Sequence, residues 1–213
     1  MDIAKIIDHT MLKADAPLSV IKRYCDEARK YGFASICVNS CHAAFVSNEL
    51  KGTGINTCCV VGFPLGAMST PAKAFEAKQA VKDGANEIDM VINVGAVKDQ
   101  NWDSVTNDIR AVVDASRPAI VKVIIETCLL TNEEKVIACE LSEKAGAAFV
   151  KTSTGFSTAG ANVEDVKLMK KTVGDRLKVK ASGGIHTPEF AQALIDAGAD
   201  RLGVSNGLAV IGK

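Results

Sequence analysis

Aromatic residues are scarce: one Trp, two Tyr and seven Phe, 5% of 213 residues. A core without aromatic bulk has to be filled by Val, Ile, Leu and Ala, which suits parallel strands buried on both faces. Apolar residues still reach 47%, enough for a real core. An excess of either charge is also missing, because 25 basic and 25 acidic residues cancel. Neither a nucleic-acid surface nor an acidic solvating tail is indicated. A small anion needs only a local basic patch. No run of about 18 apolar residues is present to span a bilayer, and the first residues lack the basic-then-apolar order of a secretory signal. The seven Cys are odd in number and form no CxxC. Free thiols in a reducing, cytoplasmic compartment are therefore expected. Histidine is limited to His9, His42 and His186. Cys37-x3-Cys41-His42 has no second pair to complete a four-ligand zinc site. No metal, no cofactor and no membrane association are expected.

What is present is alternation. Short apolar runs occur at 6–12, 33–38, 55–61, 86–92, 119–126, 147–151, 177–181 and 201–204. Stretches of helical period follow them at 17–31, 41–51, 71–83, 102–116, 131–145, 162–173 and 187–197, with a short helix at the end. Eight β-then-α units imply parallel strands joined by helical crossovers. That number in a chain of this length fits a closed barrel better than an open doubly wound sheet, which stays as the alternative. The expected fold is thus α/β: a single-domain (β/α)8 TIM barrel over residues 1–213, with a short extra N-terminal helix.

Active sites of such barrels lie at the C-terminal strand ends. Four ionisable residues sit within apolar strand runs: Asp89 in EIDMVI, Lys122 in IVKVII, Lys151 in FVKTS and Lys180 in LKVKAS. A buried lysine is costly unless paired or neutralised. One alone could snorkel outward; three on consecutive strands, near one end, point to chemistry. Lys178 shares the face of Lys180 but lies two residues earlier, and is read as structural or solvated. Neighbouring strands are about 4.8 Å apart, so the Lys151 and Lys180 amines could approach within about 6 Å. At an effective dielectric near 20 they would repel by roughly 2–3 kcal/mol, about two pKa units. A lysine starting near ~10.4 would move toward ~8, giving the neutral amine that a Schiff-base nucleophile requires. Asp89 is either a general acid/base or a buried salt-bridge partner of these lysines. A second constellation is rich in glycine and hydroxyls: Thr154-Gly155 after strand six, Ser182-Gly183-Gly184 after strand seven, and Gly203-Val204-Ser205-Asn206 at strand eight. Gly-rich turns at these strand ends suit a phosphate, so a small phosphorylated substrate is expected.

At these residues a family becomes recognisable. The stretches IDHTMLKADA, VVGFPLGA, FEAKQAVKDGANEIDMVINVGA, VKVIIETCLL, FVKTSTGF, VKASGGI and GADRLGVSNG resemble the deoxyribose-phosphate aldolases along nearly the whole chain. The resemblance implies that Lys151 forms the Schiff base, that Lys180 tunes it, and that Asp89 takes part in proton transfer. It also implies that Asp8, Thr10, Cys37 and Lys122 line the pocket, and that Gly155, Gly183, Gly184 and Ser205 hold the phosphate. A small phosphorylated sugar as the partner, a homodimer and a role in deoxynucleoside catabolism are implied in the same way. Three positions depart from the family pattern: His186 where Arg is usual, Ser40 where Pro is expected, and Phe156 where some members carry Lys. They touch phosphate affinity more than carbon–carbon chemistry. Rival readings are a sugar-phosphate isomerase or lyase without a covalent intermediate, and a non-catalytic sugar-phosphate binder.

Overall fold

A computed structural model describes residues 2–213. A single 3-10 turn at Ile3–Ile6, capped by the Asp2 side chain, precedes the first strand. The strands are β1 (Ile7–Met11), β2 (Ser35–Val38), β3 (Asn56–Val61), β4 (Glu87–Val91), β5 (Ile120–Ile124), β6 (Phe149–Lys151), β7 (Lys178–Ser182) and β8 (Arg201–Val204). The helices are α1 (Leu18–Tyr31), α2 (Ala43–Glu49), α3 (Thr70–Lys82), α4 (Val94–Lys98), α5 (Trp102–Ser116), α6 (Asn132–Lys144), α7 (Val163–Val173), α8 (Pro188–Asp196) and α9 (Gly207–Val210). All eight strands pair in parallel and in sequence, and β8 closes on β1. The open-sheet alternative is thereby excluded. Among the described residues, no helix is long and apolar enough to cross a membrane.

Local chemistry sets the element ends. In α1, Ile21, Tyr24, Cys25 and Ala28 fall on one buried face, the i, i+3, i+4 spacing of an amphipathic helix. It stops at Gly32, whose left-handed φ of 71° lets its N–H reach the Ala28 carbonyl. A capping box between Thr131 and Glu134 starts α6. The single-turn α4 was not anticipated. Asn93 caps it by accepting from the Ala96 N–H, a signal too short to show as hydrophobic period. The fifth strand ends at Ile124 rather than 126, because Glu126 turns the backbone to φ 54°.

The core has two parts. The larger apolar cluster lies between the strands and the surrounding helices. A smaller apolar cluster, separate from it, joins Leu12, Cys37, Cys58 and Val60, with Phe63 against them. Ion pairs occupy much of the remaining interior. The register fixes their levels: Lys151 pairs with Lys180, Asp89 with Lys122, and Asp8 with both Ser35 and Gly203. Lys122 registers with Phe149, so it sits two residues below Lys151. The three lysines therefore lie on consecutive strands toward one end, with Lys122 one inward-facing position deeper than Lys151 and Lys180.

Candidate active site

A cavity of about 750 Å³ opens at the C-terminal ends of the strands. Lys151, 3% exposed, is its basic floor residue. Thr10 lines it from β1, and Thr154 and Gly155 from the turn after β6. Ser182, Gly183 and Gly184 follow β7, and Gly203, Ser205 and Asn206 complete the wall beside them. Two of these glycines are sterically required. Gly183 has φ 85° with the Gly160 backbone packed against it, a position no ordinary side chain tolerates. At Gly203 a Cβ would lie 2.9 Å from the Ser182 Cβ and 3.0 Å from the Lys180 Cε, so the missing side chain leaves room for Lys180.

Beneath the floor, fully buried, lie Asp89, Lys180, Lys122, Asp8 and Cys37. None of the five lines the cavity wall, so the structure brings them together with Lys151 as a supporting layer. Asp89 is the hub. Its Oδ2 accepts from Lys151 Nζ at 2.6 Å and from Lys180 Nζ at 2.7 Å. Its Oδ1 accepts from Lys122 Nζ at 2.9 Å and from the Cys58 thiol at 3.1 Å. Asp8 accepts from Lys180, from Arg201 Nη1 at 2.6 Å and from Ser35 Oγ at 2.6 Å. Glu87 lies 2.5 Å from the Lys122 amine and 3.3 Å from Arg201. The two amines expected to face each other bare are therefore joined by a carboxylate oxygen. Lys178 stands apart, exposed at the other barrel end over the Phe149 ring.

The charges in this layer are strongly coupled. Burial would raise the Asp89 carboxyl, but Lys122, Lys151 and Lys180 outweigh it and hold the group well below the usual carboxylate range. Burial likewise opposes ionisation of Asp8, and Lys180, Lys122 and Arg201 reverse the sign. Burial pushes Lys180 down, yet Asp8 and Asp89 keep it well above an ordinary lysine. Lys122 is held high against burial by Asp89, Cys58, Asp8 and Glu87. Four cations (Lys122, Lys151, Lys180 and Arg201) face three carboxylates (Asp8, Glu87 and Asp89), leaving one positive charge in excess. Of the four, Lys151 alone touches a single carboxylate and also reaches the cavity.

Among the described residues, two trios have metal-ligand proximity, Cys37–Cys58–Asp89 and Asp8–Cys58–Glu87. The Lys122 ammonium lies 2.5 Å from Glu87, 2.9 Å from Asp89 and 3.4 Å from Cys58. A metal ion would have to displace that cation. Neither trio includes Cys41 or His42, the residues of the faint zinc spacing.

Sequence reasoning missed several residues. Glu126, buried with a left-handed φ, accepts from the Thr154 hydroxyl at 2.5 Å and its N–H at 3.2 Å, fixing the turn after β6. Glu87 and Arg201 complete the ionic layer. His9, Arg23, Tyr24 and Glu27 form a cavity wall from β1 and α1. Only the polarity of Glu126 and Glu87 at strand ends could have flagged them. The α1 wall had no signal, since Tyr24 reads as an ordinary apolar-face residue.

A family model described as DeoC/LacD family aldolase matches residues 3–213. The deoxyribose-phosphate aldolase of Finegoldia magna is 61% identical over 211 residues, 99% of each chain. That of Clostridium novyi is 59% identical, over 99% of this chain and 96% of its own. Among solved structures, the aldolase QR15 matches with a TM-score of 0.95 at 40% identity, over 99% of this chain and 95% of its own. The deoxyribose phosphate aldolase from Aeropyrum pernix, described as a unique tetrameric structure, gives 0.92 at 31% identity, over 98% and 89%.

Proposed function

The chain belongs to the DeoC/LacD family of aldolases, and from that premise we propose that it cleaves 2-deoxyribose 5-phosphate through a Schiff base on Lys151. The observation that carries the assignment is the Lys151–Asp89–Lys180 bridge beneath a glycine-lined cavity. The reaction is reversible carbon–carbon bond cleavage without a cofactor. The Lys151 amine adds to C1 of the open-chain sugar, and loss of water gives an iminium that serves as electron sink. Asp89, acting through a water, takes the proton from the C3 hydroxyl. The C2–C3 bond breaks, its electrons pass into the enamine, and glyceraldehyde 3-phosphate leaves. Protonation and hydrolysis of the enamine release acetaldehyde and the free amine.

The surrounding residues follow from this scheme. Lys180 and Lys122 keep Asp89 ionised, so it takes a proton only in passing and returns it to the enamine. The loops at Thr154–Gly155, Ser182–Gly184 and Gly203–Asn206 receive the 5-phosphate, whose binding energy positions the reacting end. His186 and Phe156 stand on this wall in place of the family's more cationic choices. The setting is cytoplasmic catabolism of deoxynucleosides, and the assembly is a homodimer. Light scattering tests the latter, with a tetramer like that described for the Aeropyrum relative as the opposing result. Activity is tested by supplying 2-deoxyribose 5-phosphate to the purified protein and quantifying products. Equimolar acetaldehyde and glyceraldehyde 3-phosphate are expected; an isomerised sugar phosphate, or no turnover by folded protein, contradicts the reading.

A further inference from the structure

His9 has no part in the chemistry above, yet it is among the most constrained side chains of the cavity wall. It is 1% exposed. Its ring stacks on Tyr24 at 4.0 Å and 13° and leans on Phe33 at 4.9 Å. Both ring nitrogens are used. Nε2 meets Glu27 Oε2 at 2.7 Å, and Nδ1 accepts from the Gly207 N–H at 3.3 Å. An imidazole that accepts at Nδ1 carries its single proton on Nε2, which then donates to Glu27. Burial, the dominant influence, favours this neutral ring and outweighs the Glu27 carboxylate. The Gly207 N–H is a helix-start donor that α9 itself cannot satisfy.

The segment so held is the wall assigned to the phosphate. Ser205 and Asn206 line the cavity immediately before Gly207. The Tyr24 hydroxyl donates to the Ser205 carbonyl at 2.7 Å, so one side of the same stack grips the segment's start while His9 grips its end. A Cβ at position 207 would fall 2.8 Å from the Phe33 ring and 3.1 Å from His9 Nδ1. The absence of a side chain there is what lets the backbone seat on the imidazole.

We propose that His9 is a positioning residue for phosphate recognition: through Nδ1 and Nε2 it ties the Ser205–Gly207 segment to Glu27 of α1, and so sets Ser205 and Asn206 against the 5-phosphate. The inference rests on the substrate proposed above. Glu27 makes it sharply testable. It lines the cavity, where a bare carboxylate repels a phosphate, so as a mere charge its removal tightens binding. As the anchor of His9, its removal loosens binding.

The experiment compares kcat and KM for 2-deoxyribose 5-phosphate and for unphosphorylated 2-deoxyribose. The enzymes are the wild type, His9→Asn, His9→Gln and Glu27→Ala, with thermal unfolding recorded for each. Asn places an acceptor near the Nδ1 position and Gln an amide near the Nε2 position. His9→Gln is expected to raise KM for the phosphorylated sugar about 5- to 10-fold, the scale of one hydrogen bond. Its kcat, and its kcat/KM for 2-deoxyribose, should change less than about 2-fold, within the reach of a weak contact. His9→Asn keeps an acceptor for the Gly207 N–H but not the reach to Glu27, so it should raise the same KM by less than His9→Gln does. Glu27→Ala, on a helix face that accepts Ala, should raise the same KM, and it decides the matter even if the His9 variants fold poorly. Wild-type KM in His9→Gln, equal losses on both sugars, or a lower KM in Glu27→Ala would each overturn the role of His9. A wild type with no preference for the phosphorylated sugar would instead remove the substrate assignment beneath it.

Discussion

Replacing Asp89 by Asn removes one charge from the centre of the buried layer and leaves its shape nearly intact. The carboxylate faces three ammoniums at 2.6, 2.7 and 2.9 Å. At an effective dielectric of about 20, each such pair attracts by roughly 6 kcal/mol. Most of that attraction is offset by the cost of burying the ions, so the residue of the account is the measured scale for breaking a buried pair, about 3–5 kcal/mol. Four cations would then face two carboxylates. The loss should depend on pH with a definite sign. A buried ammonium in the variant faces surplus positive charge, so its folded pKa drops below the unfolded value of about 10.4. The unfolded chain then binds more protons, and stability rises with pH. In the wild type Lys122 and Lys180 are held above that value. Their contribution is fully present below about pH 10.4 and fades only as pH rises through the higher folded values. Urea unfolding from pH 6 to 10 should show a deficit of about 3–5 kcal/mol that narrows as pH rises. Turnover should fall by about 10²–10⁴, the usual worth of a positioned acid/base. A variant within about 1 kcal/mol of wild type at every pH, a difference typical of weak sites, would refute the hub role of Asp89.

Further outcomes follow from the same geometry. Lys151→Ala leaves three cations against three carboxylates. It should abolish turnover by at least about 10³ while shifting the unfolding midpoint little; a severe stability loss would contradict the charge count. Gly203→Ala sets a methyl 3.0 Å from the Lys180 stem. Turnover should fall by about 10-fold or more as that amine is displaced; unchanged kinetics would show that Lys180 has slack. Prolonged EDTA treatment should leave activity intact, because Lys122 occupies the space where a metal would bind; lost activity restored by a divalent ion would end the metal-free scheme.

Much of this was legible along the chain. Alternating periods gave the eight units, and burial cost singled out Asp89, Lys122, Lys151 and Lys180. What was not legible is non-local. Arg201 meets Asp8 across 193 positions, and no local pattern announces such a partner. Barrel stagger placed Lys122 below Lys151, a shift that strand counting cannot supply. The carboxylate between Lys151 and Lys180 changed the electrostatic picture from bare repulsion to a bridged pair. The α1 wall escaped because a helix facing a barrel and a helix facing a ligand share one amphipathic pattern.

The central claim is a covalent bond between substrate and Lys151. The direct measurement is reduction by borohydride during incubation with 2-deoxyribose 5-phosphate, followed by peptide mapping. A stable adduct on Lys151, absent from Lys151→Ala, is the predicted result. An adduct confined to another lysine, or none from folded and active enzyme, would contradict the account.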